Sequence, residues 1–218
     1  MNKTIVIATA TENEADFFRQ LALPGRGVSL LVTGIGGVAS AWSTMNYFAI
    51  FGKPDMLINT GIAGSFSERW PVGSVVVTES DTFGDLGIDD NGTLKTLFEA
   101  GLGNTDDFPF KGGRIYADSP LVAMARGSWP VVNGVTVNRV TGSEEGAKWL
   151  LSHLQADIET MEGAALYYVC RRESVPVLGI RAISNMAGLR EREKWDIKGA
   201  LAAALTAVEE FILKVNGR

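Results

Sequence analysis

The sequence predicts an α/β fold: a single domain with a mixed, mainly parallel central sheet and helices on both faces. Apolar, strand-like runs alternate with helix-like runs along most of the 218 residues. The strand-like runs are almost continuously apolar, which is typical of parallel strands buried on both faces. A chain of this length suits one sizeable domain and is short for two. We therefore expect one domain over residues 1–218.

Each element follows from its local pattern. The predicted strands are Ile5–Ala10, Val28–Val32, Met56–Asn59, Ser74–Glu79, Val135–Val140, Ile158–Met161 and Val177–Ile183. The predicted helices are Glu12–Leu21, Val38–Phe51, Glu144–Leu154, Gly163–Arg172 and Ile197–Val215. Between Gly84 and Ser128 many Gly, Asp and Asn residues interrupt this alternation, while aromatic residues recur. This stretch is therefore predicted to be an irregular excursion above the sheet and not a linker.

Composition excludes several classes of protein. A hydrophobic content of 46% and a charged content of 21% indicate an ordinary globular protein. The net charge of -5 argues against a nucleic-acid partner, and no run approaches the roughly 20 apolar residues that span a membrane. Cys170 is the only cysteine, which excludes an internal disulfide and fits the cytoplasm. With His153 as the only histidine, no metal site is predicted.

A glycine-rich turn follows the second predicted strand and opens a helix. Gly34, Gly36 and Ala39 fit the dinucleotide pattern G-x-G-x-x-G/A. That function also needs an acid about 20 residues further on, at the end of the next strand. Asp55 has the spacing but begins a strand. A tight turn that needs glycine for positive φ is therefore the favoured interpretation.

A second glycine-rich segment, Asn59–Ser65, also follows a strand and is predicted to be a turn. It contains Ile62, Ala63 and Gly64. Two such turns at neighbouring strand ends would expose backbone amides to a ligand, since α/β sheets bind ligands at those ends.

Polar residues end two further strands. Glu162 follows one and Asn185 the next, each before a probable helix or loop. A carboxylate can hold hydroxyl groups and an amide can read a heterocycle, so the pair indicates a nucleoside pocket. Two alternatives stay open: Glu162 as an acid at a helix N-terminus, and Asn185 as a turn residue.

Five segments in order resemble the nucleoside phosphorylase and methylthioadenosine nucleosidase superfamily, over nearly the whole chain. They are Ala10-Thr11-Glu12-Asn13-Glu14, Thr33-Gly34-Ile35-Gly36, Asn59-Thr60-Gly61-Ile62-Ala63-Gly64, Met161-Glu162-Gly163-Ala164 and Arg181-Ala182-Ile183-Ser184. Within it the chain looks most like the futalosine nucleosidases, through Asp85-Leu86-Gly87, the segment 137–143 and the tail after Asn185. Relative to the methylthioadenosine enzymes, a hairpin is missing between Leu21 and Val28.

The resemblance implies a role for each candidate residue and no cofactor. Glu14 matches the water-activating general base, although an acid in the first turn of a helix is also ordinary. Glu162 matches the residue that binds the ribose hydroxyls, and Met161 packs against the sugar or belongs to the core. By the same resemblance, backbone groups of Ile62, Ala63, Gly64 and Val140 are expected to line the base or sugar.

Asn185 departs from the methylthioadenosine enzymes, which have an aspartic acid there. An amide cannot protonate the purine, but its NH2 group can donate to N7 and to a carbonyl oxygen. It therefore favours a 6-oxopurine such as hypoxanthine over adenine, because a buried donor left unpaired costs about 1–3 kcal/mol. Futalosine carries hypoxanthine, so hydrolysis of its N-glycosidic bond is the predicted reaction. Alternatives are a methylthioadenosine or S-adenosylhomocysteine nucleosidase, and a nucleoside-binding protein without catalysis.

Water is the predicted nucleophile. Phosphorylases of the superfamily hold phosphate with arginines, yet Thr9–Glu14 and Thr60–Ser65 contain no Arg or Lys. The substrate's distal carboxylate should meet an arginine, whose planar fork matches it. Arg139, Arg190 and Arg192 are the candidates, although a charged run such as 190–194 is more often a solvated surface.

The superfamily also implies a homo-oligomer in which a neighbour helps close the site. Trp42, Met45, Tyr47 and Phe48 give the helix 38–51 enough large apolar groups for an interface. The same groups could equally belong to the core.

Overall fold

A computed structural model describes residues 3–22, 27–188 and 192–217. The strands are β1 Ile5–Thr9, β2 Val28–Val32, β3 Met56–Ser65, β4 Val75–Asp81, β5 Gly87–Asp90, β6 Thr93–Thr96, β7 Ile115–Tyr116, β8 Val131–Thr136, β9 Ile158–Thr160 and β10 Val177–Met186. The helices are α1 Glu12–Phe18, α2 Gly37–Phe51, α3 Ser119–Arg126, α4 Glu144–His153, α5 Gly163–Arg172 and α6 Ile197–Val215. Short 3₁₀ turns cover Arg19–Leu21 and Arg192–Lys194.

The central sheet is mixed and partly closed on itself. Its strands run in the order β10-β4-β8-β9-β3-β1-β2, β7 pairs with β4, and β10 pairs with β3 as well. Strands β3, β10, β4, β8 and β9 therefore form a ring, from which β1 and β2 extend as an edge. Among the described residues, five of the eight pairings in this sheet are parallel. β5 and β6 form a separate hairpin.

Helices flank this sheet and enclose the apolar core. α6 packs on β10 and β3 and contacts α1, whereas α2 packs on α5, which lies against β8 and β10. α6 buries Ala200, Ala204, Ala207 and Phe211, residues three or four apart that form one face of the helix. The predicted α/β class, with a mixed, mainly parallel sheet between helices, is confirmed.

Capping residues explain where the first and last helices begin. The Thr11 hydroxyl accepts a hydrogen bond from the Glu14 amide (3.2 Å), and the Glu14 carboxylate accepts one from the Thr11 amide (3.0 Å). This reciprocal pair is a capping box. Asp196 caps α6 by accepting from the Gly199 amide at 2.8 Å.

Four predictions about elements need correction. The excursion Gly84–Ser128 contains a hairpin and the helix α3, which Pro120 opens at its first turn. The strand predicted at Val135–Val140 is β8, displaced towards the N-terminus and ending at Thr136. Asn59–Ser65 is not a turn, because it continues β3, and Asn185 lies inside β10 and not beyond it. The prediction that a hairpin is missing between Leu21 and Val28 concerns residues that lie largely outside the described ranges.

Candidate active site

A cavity of about 320 Å³ lies beside the carboxyl ends of β1, β3, β9 and β10. This volume is within the range of small-molecule sites, roughly 300–1,000 Å³. The sequence-predicted residues that line it are Glu14, Ile62, Ala63, Gly64, Val140, Met161, Glu162 and Asn185. Three segments far apart in sequence thus bring two carboxylates and one amide to a single cavity.

Glu14 lines the cavity, is only 7% exposed, and is held in place by backbone hydrogen bonds. Its Oε2 accepts hydrogen bonds from the amides of Ala10 and Thr11, both at 3.0 Å. Its Oε1 faces β3, where the Ile62 amide donates at 3.4 Å. Backbone donors therefore fix the carboxylate's orientation and compensate for its burial.

Glu162 lies at the N-terminus of α5, next to the first glycine turn. Its Oε1 accepts a hydrogen bond from the Gly36 amide at 3.1 Å. Gly34 and Gly36 have φ of 83° and 87°, which favours glycine at both positions. The turn that resembled a dinucleotide motif thus supplies an amide to Glu162. Asp55, the acid that the dinucleotide pattern would need, instead accepts a hydrogen bond from the Thr4 amide at 2.7 Å.

Burial raises the pKa of the Glu162 carboxyl above its usual range. The positive charge of Arg181 and the hydrogen bond from Gly36 oppose this rise, whereas the negative charge of Glu14 adds to it. The two carboxylates therefore interact across the cavity, and the positive charge of Arg181 stabilises the ionised form of Glu162.

Arg181 is a functional candidate that the sequence analysis did not single out. It is 2% exposed within β10, and its Nη1 donates to the Thr60 carbonyl at 3.3 Å. Its Nη2 donates to the Asn59 side chain. A buried cation is costly unless it is paired or hydrogen-bonded. A lone arginine inside the apolar run 177–183 was the signal that could have identified it.

Asn185 lines the cavity from β10, next to β3. Its Oδ1 accepts a hydrogen bond from the Ser184 hydroxyl at 2.9 Å, and its Nδ2 donates to the Met186 carbonyl at 3.1 Å. The register between β10 and β3 shifts between Ile183 and Asn185. An amide NH2 carries two donors, so Nδ2 can also donate to a ligand.

The three candidate arginines are not placed in the cavity. Arg139 is exposed and does not line it, although its neighbour Val140 does. Arg190 lies outside the described residues, and so does the side chain of Arg192. A contact between one of them and a substrate carboxylate stays a prediction.

The described residues offer neither a membrane-spanning helix nor a cluster of metal-binding side chains. No helix in 3–22, 27–188 or 192–217 is both long and apolar enough to cross a membrane. Within the same ranges, no three His, Cys, Asp or Glu side chains are grouped so that they could hold a metal ion.

The chain is similar to several known proteins along nearly its whole length. Residues 4–215 match the family model described as the phosphorylase superfamily. A futalosine hydrolase of Streptomyces coelicolor is 34% identical, with 94% of this chain and 93% of the relative covered. A 5'-methylthioadenosine/S-adenosylhomocysteine nucleosidase of Aeromonas salmonicida is 30% identical, with 92% and 86% covered. The structure of a Helicobacter pylori futalosine hydrolase has a TM-score of 0.82 at 18% identity, covering 97% of this chain and 98% of that one.

Proposed function

The chain belongs to the phosphorylase superfamily, and we propose that it hydrolyses the N-glycosidic bond of futalosine. The products are hypoxanthine and dehypoxanthine futalosine, which makes the reaction a step of menaquinone biosynthesis. The observation that carries this proposal is the convergence of Glu14, Glu162 and Asn185 on one cavity. Similarity to a futalosine hydrolase at 34% identity over 94% of the chain supports it.

Glycosidic cleavage needs three groups, and the cavity offers one for each. The bond between the base and C1' breaks with its electron pair leaving on the base, so the ribose becomes oxocarbenium-like. Glu162 accepts hydrogen bonds from the ribose hydroxyls, and its negative charge stabilises the developing cation. Asn185 donates to the departing 6-oxopurine through Nδ2. Glu14 takes a proton from the water that attacks C1', and the departing base takes up a proton from solvent to become neutral hypoxanthine.

Water is a better nucleophile here than phosphate. Among the described residues that line the cavity there is no arginine or lysine. Arg181 is near, but its guanidinium is directed to the Thr60 carbonyl and the Asn59 side chain. Glu14 and Glu162 would both repel a phosphate dianion.

A methylthioadenosine or S-adenosylhomocysteine nucleosidase is the second candidate, because a relative with that name is 30% identical. Asn185 opposes it, since an amide cannot transfer a proton to adenine as an aspartic acid would. A nucleoside-binding protein without catalysis is less compatible with the two carboxylates, both held in the cavity by backbone donors.

The proposal includes a cytoplasmic homo-oligomer. Val38 and Trp42 on α2 are 86% and 68% exposed, and Ile35, which precedes the helix, is 61% exposed while lining the cavity. Phe48 faces the core instead. An apolar surface that continues from the cavity mouth suits a second copy that closes the site. Sedimentation of Trp42→Glu should show a smaller species than the wild type, and unchanged assembly would contradict this interface.

Glu14→Gln tests the role of the general base. Glutamine also suits the capping box, so α1 should keep its N-terminus. We expect kcat for futalosine to fall about 10²- to 10⁴-fold, with KM much less affected. Glu12→Gln is the matched control, because Glu12 is on the same helix with its side chain 68% exposed. Full activity of a folded Glu14→Gln variant would exclude Glu14 as the base.

A further inference from the structure

A third carboxylate, Glu159, lines the cavity and has no role in the chemistry described above. It lies on β9, is 4% exposed, and is among the residues that enclose the cavity. Its Oε2 accepts a hydrogen bond from the Thr141 amide at 3.2 Å. A glutamate in the fully buried strand Ile158–Thr160 is costly unless its carboxylate accepts hydrogen bonds from nearby donors.

Glu159 lies next to Asn185, across the bare Cα of Gly64. Glu159 is not paired directly with Asn185 in the sheet, but each strand pairs with β3 at Gly64. A Cβ added to Gly64 would lie 3.2 Å from Glu159 Cγ and 3.3 Å from Asn185 Nδ2. The glycine thus leaves space between an amide donor and a carboxylate acceptor. Thr141, whose amide donates to Glu159, directly follows Val140, which lines the cavity.

This pair of groups is complementary to one edge of a 6-oxopurine. Hypoxanthine carries an acceptor, O6, next to a donor, N1–H. Asn185 can donate to O6 or N7, and an ionised carboxylate only accepts. Adenine carries the reverse pattern, a donor at N6 and an acceptor at N1. Its N1 lone pair would face the carboxylate without a hydrogen between them.

We propose that Glu159 accepts a hydrogen bond from N1–H of the base and is, with Asn185, the group that selects 6-oxopurines over adenine. The inference rests on the proposed function, since it assigns a base-reading residue to the same cavity. Glu159 contacts the base and not the bond that breaks, so it determines specificity and takes no part in proton transfer from the attacking water.

The first test uses the wild-type protein and competition by free bases against futalosine hydrolysis. 1-Methylhypoxanthine has a methyl group in place of N1–H but keeps O6 and N7. We expect it to inhibit at least about tenfold more weakly than hypoxanthine, since a lost hydrogen bond in a buried site is worth about a factor of ten or more. Equal inhibition by the two bases would overturn the proposal, and no variant needs to fold for this result.

The second test uses Glu159→Gln, which keeps an acceptor for the Thr141 amide and adds a donor for N1 of adenine. The ratio of the inhibition constants of adenine and hypoxanthine should shift towards adenine by about tenfold or more. Glu145→Gln, an exposed glutamate on α4, is the control and should leave the ratio unchanged. An unchanged ratio in folded Glu159→Gln would also overturn the proposal.

Failure of the proposed function gives a different result from failure of this inference. A wild-type protein that releases no base from futalosine contradicts the proposed function. Calorimetric titration with hypoxanthine and 1-methylhypoxanthine then replaces the inhibition assay. Tighter binding of hypoxanthine supports the role of Glu159, and equal affinities reject it.

Discussion

A side chain at Gly61 would collide with the carboxylate that we propose activates water. Gly61 lies in β3 with φ of 136°, opposite Arg181 of β10. A Cβ there would be 2.5 Å from Glu14 Oε1 and 3.1 Å from Arg181 Nη1. An ordinary separation is roughly 3.5 Å, so in Gly61→Ala the Glu14 carboxylate must move by about 1 Å. That movement would also break its contact with the Ile62 amide.

We expect kcat of Gly61→Ala for futalosine to fall about 100-fold, the effect of misplacing a catalytic group by about 1 Å. Positive φ adds a cost of about 1–3 kcal/mol to the folded state. Gly52→Ala is the matched control, because Gly52 has φ of 83° and nothing within 4 Å of its added Cβ. Steady-state kinetics and urea unfolding separate the two effects. Wild-type kcat in folded Gly61→Ala, or an equal loss in Gly52→Ala, would refute the reasoning.

Three further predictions concern titrating groups and the base. Asn185→Asp provides an acid that can protonate adenine, so hydrolysis of methylthioadenosine relative to futalosine should rise at least about tenfold; a constant ratio speaks against a role of Asn185 in base selection. Because Glu162 must be ionised and its pKa is raised by burial, kcat/KM should fall with acid at a pH above 4.5, the ordinary value for glutamate; an acid limb at or below that value would contradict the proposed role. Burial also raises the pKa of Asp81 to about 6, although the charge of Arg114 opposes the rise. Because the pKa of Asp81 is higher in the folded protein than its unfolded value of 3.8, the folded protein becomes less stable as the pH rises from 3.8 to about 6. Between pH 4 and pH 7, Asp81→Asn should therefore gain up to about 3 kcal/mol of unfolding free energy relative to the wild type. A pH-independent difference in urea unfolding would show that Asp81 does not titrate as described.

The fold could be predicted well where sequence signals mark both ends of an element. α5 and α6 have the predicted bounds. A polar residue precedes each helix, and Asp196 caps α6 through the Gly199 amide. α3 was missed although Ser119-Pro120 opens it, because the glycine- and aspartate-rich residues around it obscured its apolar periodicity.

The second glycine segment shows how tertiary pairing overrides local propensity. Gly61 and Gly64 predicted a turn, yet β3 continues to Ser65 because β10 pairs with it along this length. The glycines are needed for close approach: a side chain at Gly61 would meet Glu14, and one at Gly64 would meet Glu159 and Asn185. Such contacts join residues far apart in the sequence, so no local pattern reports them.

The positions of Glu162 and Asn185 could be identified because each follows or ends an apolar run, whereas Glu14 could be identified only through the family resemblance. Arg181 and Glu159 could not be assigned a place in the same way. A charge within a buried strand marks each residue as unusual, as the lone arginine in the run 177–183 does, but it does not show which face of the sheet the residue is on. Their neighbours in space show that they face the site: Glu14 and Gly61 for Arg181, Gly64 and Asn185 for Glu159.

Base release by the purified protein tests the central claim most directly. Futalosine, inosine and methylthioadenosine would each be incubated without phosphate and then with it, and the free bases would be separated and quantified. The account predicts hypoxanthine from futalosine at a rate that phosphate does not change, and little adenine from methylthioadenosine. Faster release of adenine would contradict the role given to Asn185, and a strict requirement for phosphate would contradict hydrolysis through Glu14.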